Sequence, residues 1–296
     1  MKTSLSHLPP HKQDQLRKLA QLFRGVGGVE QLILFGSYAR GKWVEDRNTG
    51  YFSDYDLLVV VEDPAMAAPE LAVWERLEKQ AQAIAGDVPV TVIVHDIREL
   101  NLELRRGRYF FVDILNEGVV LYDSKRLSLA KPKALTREER LQMARDYYDY
   151  WYASASQFWR GVGYFMRQDD LCAAAFLLHQ SAERFFHTVL LVFTAYKSRT
   201  HDLEKLSNQA ASLHTAMRGA LPRAAGEQRQ LFTLLKRAYI EARYSRSYRI
   251  TLEQLTTLRE QVQDLAVLVR QACLEELTSL GFDRPEELAN RPDESD

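Results

Sequence analysis

The chain has 296 residues, of which 46% are hydrophobic and 27% are charged, a composition typical of a soluble globular protein and not of a disordered one. A formal net charge of −1 excludes general basicity as a means of binding nucleic acid, although a local basic patch remains compatible with it. Cys172 and Cys273, the only cysteines, are too few for a cysteine metal cage. No apolar run is long enough to cross a bilayer, and the N-terminus lacks the apolar core of a signal peptide. We therefore expect a cytoplasmic protein of two domains that does not contact a membrane.

The first part of the chain alternates predicted helices with predicted strands. Apolar spacing predicts helices over 13–23, 69–85 and 97–106, and apolar runs predict strands over 31–35, 57–61 and 88–94. An insert over 43–52, which contains Asn48, Thr49 and Gly50, is typical of a turn or small hairpin. Residues 110–122 complete this part of the chain. This alternation predicts an α/β domain over 1–124.

The second part of the chain contains no convincing strand. Residues 125–135 are predicted to be a linker, and Thr136 with Glu139 forms a plausible capping box at the start of a long aromatic-rich helix. Asp169 is predicted to open the next helix, and later helical patterns cover 202–213, 227–242 and 252–277. We expect an all-α bundle over 136–281 and a disordered tail over 282–296.

Two short segments carry the chemistry of the first domain. A predicted strand ends in Gly36 and Ser37, and a second strand begins with Asp54 and Asp56. Residues two apart in a strand share a face, so these carboxylates would lie side by side and repel each other unless a cation separates them. Oxygen ligands of this kind suit Mg²⁺, and a Gly-Ser turn offers N–H groups and a hydroxyl to phosphate oxygens. The pattern indicates nucleotidyl transfer.

Gly-Ser-Tyr-Ala-Arg-Gly at 36–41 and Ser-Asp-Tyr-Asp-Leu-Leu-Val at 53–59 together resemble the signature of the polymerase β-like nucleotidyltransferase superfamily, in its minimal branch. The resemblance implies that Asp54 and Asp56 are catalytic and bind Mg²⁺. It also implies that Gly36, Ser37 and Arg40 bind a nucleoside triphosphate (NTP), with ATP as the expected one. The implied reaction moves a nucleoside monophosphate (NMP) to a hydroxyl on a protein or small molecule. For Arg40, a surface ion pair with Glu45 or Asp46 is the alternative.

Members of this superfamily normally use a third carboxylate on a neighbouring strand. The corresponding position in this chain is Thr91, and Asp87 on the same face lies roughly 13 Å back along the strand. His95 and Asp96 follow the strand and could bend inward. This departure leaves open a second interpretation, in which the domain binds NTP as a regulatory module without transferring a nucleotide.

The helical region has a resemblance of its own. Ala174-Ala175, His-Gln-Ser-Ala-Glu-Arg-Phe at 179–185, Thr-His-Asp-Leu at 200–203 and Ala-Arg-Tyr at 242–244 resemble HEPN domains, which occur beside or fused to minimal nucleotidyltransferases. The resemblance implies a helical domain that completes the nucleotide cleft. The abundance of large aromatic residues favours a homodimer through this domain.

HEPN domains that cleave RNA carry an Arg-x4-6-His motif. Arg243 is present here, but the histidine position holds Tyr248 or Arg249, neither of which titrates near neutrality. An RNA-cleaving toxin is therefore disfavoured, and RNA is not an expected partner. Arg243, Tyr248 and Arg249 are instead candidate contacts for phosphate or acceptor, with helix-end ion pairing as the alternative.

Three histidines of the helical region are not part of that motif. His179 and His187 are expected in the core or an interface, and His201 is expected to cap or orient the start of a helix.

Overall fold

The computed structural model describes residues 1–46, 51–68, 71–222 and 226–283. These divide into two compact units, Met1–Ala134 and Leu135–Asp296. The first unit is a mixed α/β domain and the second is a helical bundle, which confirms the predicted fold classes.

The first unit is built on a four-stranded sheet. In chain order, the strands of the unit, including two that lie outside this sheet, are β1 (Val29–Phe35), β2 (Glu45–Asp46), β3 (Tyr51–Phe52), β4 (Tyr55–Val61), β5 (Val90–Asp96) and β6 (Val119–Asp123). The sheet order is β5-β4-β1-β6, in which β1 is antiparallel to both neighbours and β4 is parallel to β5. Strands β2 and β3 form a separate two-stranded hairpin, as predicted for the insert, although Asn48, Thr49 and Gly50 lie outside the described residues.

The helices of this unit are α1 (Pro10–Arg24), α2 (Gly36–Arg40), α3 (Ala72–Ala85), α4 (Ile97–Arg105) and α5 (Tyr109–Glu117). Alternate residues of β4, including Leu57 and Val59, are buried in one core with Leu16 and Leu19 of α1 and Leu77 of α3. Because β4 is anchored in this way, the residues at its start have a fixed position.

The turn predicted at the end of β1 was wrong. Gly36 and Ser37, predicted to form a turn, are the first residues of the short helix α2. A helix of five residues has no apolar periodicity, so the sequence pattern could not distinguish it from a turn.

The helices of the second unit are α6 (Arg137–Arg167), α7 (Leu171–Thr194), α8 (Leu203–Leu213), α9 (Gly226–Tyr244) and α10 (Leu252–Ser279). Helix α7 packs against all four others and forms the centre of the bundle. The predicted capping box of Thr136 and Glu139 is present at the start of α6. Helix α7 is capped by Asp170 and not by Asp169, whose φ of 59° places it in the left-handed region before the cap.

The predicted linker and the first residue of the predicted tail both make contacts that the sequence did not predict. Within the segment predicted to be a linker, Arg126 pairs with the buried Glu30, and the backbone N–H of Lys133 donates to the carbonyl of Leu104 over 2.9 Å. Phe282, which the sequence placed in the tail, is buried beneath the guanidinium of Arg145. The tail from residue 284 onward lies outside the described residues. In the described part of the chain, no helix combines the length and apolarity needed to span a bilayer.

Candidate functional site

The predicted acid pair lies where β1 ends and β4 begins. Asp56 is the second residue of β4 and stands opposite Phe35, the last residue of β1, while Asp54 immediately precedes the strand. Burial raises the pKa of Asp56 well above its ordinary value, and the negative charge of Asp54 raises it further, while Arg40 opposes the shift. Two crowded carboxylates of this kind are the electrostatic arrangement that a bound cation relieves.

Gly36 lies directly against this pair. Its φ is 71°, in the left-handed region that favours glycine, and a Cβ atom at this position would overlap the Asp56 carboxylate. The start of α2 can therefore approach the acid pair only because residue 36 is a glycine. Ser37 follows it and is almost fully buried.

Arg40 is the last residue of α2, and its charge acts on Asp56. Its guanidinium pairs with Glu117 over 3.3 Å and not with Glu45, one of the two partners predicted as the alternative. The side chain of Asp46, the other predicted partner, lies outside the described residues. Glu45 instead pairs with Lys12 over 2.5 Å. The pair between Arg40 and Glu117 is more than one-third exposed on both sides and is therefore weak, which leaves the guanidinium free to exchange partners.

Thr91 occupies the position expected for the third carboxylate. The parallel register of β4 and β5 sets Thr91 beside Asp56, and the Thr91 hydroxyl donates to Oδ2 of Asp54 over 2.9 Å. The sequence analysis predicted this placement, and the structure adds the hydrogen bond.

The nearby polar residues of β5 do not supply a replacement acid. His95 and Asp96 stand opposite Val60 and Val61, roughly 13 and 17 Å along the strand from Asp56. Nδ1 of His95 lies 2.9 Å from Glu99, and Asp96 caps α4. The expectation that they could bend toward the acid pair is therefore wrong.

Tyr38, Trp43 and Tyr55 form an aromatic layer that packs together and includes Tyr38 of α2. Tyr38 donates its hydroxyl to Glu45 over 3.1 Å and stacks on Trp43 with a centroid separation of 5.5 Å, while Tyr55 donates to Gln15 over 2.8 Å. Burial, together with the charge of Glu45, raises the pKa of Tyr38 far above its ordinary value. Tyr38 and Tyr55 are thus neutral packing residues.

The donor set at the acid pair fits a divalent ion that is shared with a ligand. In the part of the chain that the structure describes, no group of three or more histidine, cysteine, aspartate or glutamate side chains could hold a metal ion. A cation between Asp54 and Asp56 would therefore complete its shell with phosphate oxygens and water, as Mg²⁺ does in nucleotide sites.

The candidate contacts of the helical unit have different environments. The guanidinium of Arg243 lies 4.7 to 4.9 Å from the ring centroids of Phe176, Tyr239 and Tyr244. Tyr248 is buried, and its hydroxyl donates to the carbonyl of Leu234 over 3.1 Å, so the structure contradicts its predicted contact with a ligand. Arg249 donates to the backbone carbonyls of Arg246 and Tyr248.

Comparison with protein families agrees with the geometry of both units. A family model described as nucleotidyltransferase domain matches residues 14–121, and one described as HEPN domain matches residues 148–272. The chain combines a nucleotidyltransferase domain with a HEPN domain. No curated protein matches the chain.

The nucleotidyltransferase domain extends from within α1 into β6 and includes Gly36, both acids and Thr91. Domains of this kind transfer a nucleoside monophosphate from an NTP substrate and generally use divalent metals.

The HEPN domain contains a polar cluster that the sequence analysis missed. Nδ1 of His201 lies 3.0 and 3.1 Å from the two carboxylate oxygens of Glu183, and Nε2 of His179 and of His187 lie 3.5 and 3.7 Å from them. Burial alone would raise the pKa of Glu183, but the close approach of the His179 and His187 rings and the hydrogen-bonded His201 hold it far below its ordinary value. The signal was present in the sequence, because residues 179, 183 and 187 are four apart and share one stripe of α7.

The role predicted for His201 is only partly right. Asp202, not His201, caps α8 by accepting from two backbone N–H groups. His201 instead orients the segment before that helix through Glu183 and by stacking on Tyr239 at 4.5 Å. His179 and His187 are buried in the core, as expected.

Proposed function

We propose that this protein is a Mg²⁺-dependent nucleotidyltransferase that moves NMP from NTP, with ATP as the expected donor, to a hydroxyl on a protein or small molecule. The observation that carries the proposal is the close approach of Gly36 to the carboxylate of Asp56, with Asp54 beside it. In this arrangement the proposed phosphate-binding segment and the proposed pair of metal ligands meet where β1 ends and β4 begins.

In the proposed reaction each residue has a separate task. Asp54 and Asp56 hold the ion, which neutralises phosphate charge when it is bound. The backbone N–H groups near Gly36 and the hydroxyl of Ser37 contact phosphate oxygens, and the Arg40 fork binds the triphosphate after leaving Glu117. The acceptor hydroxyl oxygen attacks the α-phosphorus and gives up its proton to water, the bond between the α-phosphorus and the oxygen of the β-phosphate breaks, and pyrophosphate leaves.

We assign the HEPN domain the tasks of completing the cleft, presenting the acceptor and forming a homodimer. The presence of both domains in one chain supports this division of labour. Arg243 and Arg249 are the proposed contacts for phosphate or acceptor on this domain.

The decisive experiment follows label from NTP to acceptor. Purified protein is incubated with ATP labelled at the α-phosphate, Mg²⁺ and candidate proteins or small molecules. We expect transfer by the wild type and its loss in the Asp54→Asn/Asp56→Asn double variant. Asp14→Asn is the control, because Asp14 is an exposed carboxylate that pairs with Arg17 on α1. Equal labelling by wild type and double variant would end the enzyme proposal.

The alternative is NTP binding without transfer, and the observation that favours it is the hydroxyl of Thr91 in place of a third carboxylate. This alternative expects Mg²⁺-dependent ATP binding in calorimetry, lost in Asp56→Asn, with no labelled product for any acceptor. A wild type that binds no nucleotide would contradict both functions.

A further inference from the structure

Strand pairing and burial hold the side chain of Thr91 in a fixed position. It lies within seven consecutive register pairs of β4 and β5, and its side chain is almost fully buried. A β-branched side chain has few χ1 rotamers in a strand, so its hydroxyl is aimed by the backbone. The target of that hydroxyl is Oδ2 of Asp54, 2.9 Å away.

The two carboxylates differ in how the strand holds their backbones. Asp56 lies inside β4 and is confined by Gly36. Asp54 precedes the strand, so the ladder of β4 does not fix its backbone, although the next N–H, that of Tyr55, donates to the carbonyl of Pro89 over 2.8 Å. The bond from Thr91 therefore ties the Asp54 carboxylate to the neighbouring strand β5.

The hydroxyl also changes the charge of the site. A carboxylate at residue 91 would add a third negative charge beside two that already repel each other, whereas a hydroxyl donates a hydrogen bond to one of them. Two carboxylates carry a charge of −2, which one divalent ion balances.

We propose that Thr91 is a positioning residue that orients Asp54 toward the metal, and that it makes this a site for one divalent ion per chain. The proposal rests on the proposed function, since it takes Asp54 and Asp56 as the metal ligands. The Thr91 hydroxyl, which stands in place of the usual third carboxylate, then contributes to binding of the metal-nucleotide complex.

The test uses Mn²⁺ as the probe, with α,β-methylene ATP as a nucleotide that cannot react. Free Mn²⁺ is measured by its electron paramagnetic resonance signal, which reports affinity and stoichiometry independently of activity. We expect one Mn²⁺ per wild-type chain. Thr91→Val should weaken Mn²⁺ binding about tenfold, because a charge-assisted hydrogen bond is lost. Thr91→Ser should restore binding to within about threefold, since it keeps the hydroxyl.

A further variant keeps the proposal testable if Thr91→Val does not fold. Thr91→Asp supplies a third carboxylate and is expected to bind a second Mn²⁺. Wild-type affinity in Thr91→Val, two ions in the wild type, or a single ion in Thr91→Asp would overturn the proposal. These outcomes differ from failure of the proposed function, in which Mn²⁺ binds equally well to the wild type and to Asp54→Asn/Asp56→Asn.

Discussion

Gly36 concentrates two constraints in one residue, a left-handed backbone and contact with Asp56. Gly36→Ala should destabilise the nucleotidyltransferase domain by about 1–2 kcal/mol, the usual cost of a side chain in the left-handed region. It should also abolish ATP binding, because the added methyl group displaces the Asp56 carboxylate. Urea unfolding and calorimetry measure the two effects.

Gly27→Ala is the matched control for this variant, because a Cβ there meets no atom within 4 Å. Unchanged ATP affinity in Gly36→Ala would show that the contact with Asp56 does not shape the nucleotide site.

Tyr248 leads to an expectation about RNA. Its hydroxyl is buried and hydrogen bonded, and burial raises its pKa further above the neutral range, so it cannot replace the motif histidine as a proton donor or acceptor. Losing general acid–base catalysis typically costs about 10²–10⁴-fold. We expect the wild type to leave RNA intact in EDTA, as followed on denaturing gels. RNA cleavage in EDTA that disappears in Arg243→Ala would contradict this expectation.

Single residues were predicted from the sequence where strand geometry determines their position. Strand alternation places Asp56 on one face with Asp54, and the resemblance to the nucleotidyltransferase superfamily implies the position of Thr91, so both could be predicted. The partner of Arg40 could not, because Glu117 is 77 residues away and reaches Arg40 only through the packing of α5. The burial of Tyr248 depends in the same way on its contact with α9.

At the scale of elements, the stripe on α7 makes the stability of the HEPN domain depend on pH. His187 is buried, and burial lowers its pKa, so the folded domain favours the neutral ring. The unfolded chain protonates this residue below about pH 6.5, and stability is therefore lost as the pH falls through and below that value. Glu183, with its lowered pKa, contributes stability that is complete above about pH 4.3 and is lost in more acidic solution.

Scanning calorimetry should accordingly show a lower unfolding temperature of the HEPN domain at pH 5.0 than at pH 7.5. His187→Leu should reduce that difference, since it removes the group that the unfolded chain protonates. His11→Gln, at an exposed site on α1, should leave it unchanged. An unfolding temperature in His187→Leu with the wild-type pH dependence would show that His187 is not the responsible group.

Long helices with a recognisable capping residue or a broad apolar face could be predicted from the sequence. The capping box of Thr136 defines the start of α6, and the broad apolar face of α7 matches its central position in the bundle. The five-residue α2 has neither signal. Its conformation depends on the left-handed φ values of Gly36, its first residue, and Gly41, which follows it, and on the aromatic residues Tyr38, Trp43 and Tyr55.

At the scale of the whole molecule, the proposed homodimer can be tested on α9. Ile240 and Tyr244 are 60% and 74% exposed there, and because they are four residues apart they lie next to each other on one face of the helix. We expect light scattering to give the mass of a dimer and the Ile240→Glu/Tyr244→Glu variant to be monomeric, because buried charges oppose association.

Leu102→Glu provides the control for this measurement, since Leu102 is a 44% exposed apolar residue of the other unit. A monomeric wild type, or a dimer that survives both α9 substitutions, would exclude this helix as the interface.

The pair between Lys12 and Glu45 has a consequence for how this chain tolerates change. Lys12 is almost fully buried on α1, and its ammonium group also lies 5.7 and 5.9 Å from the ring centroids of Tyr38 and Tyr55. Replacing it would leave Glu45 without its cation and loosen the support of α2. In a saturation mutagenesis screen for activity, position 12 should therefore be as intolerant as the acid pair itself. A residue can thus behave genetically as part of an active site while its own contacts are to the supporting layer.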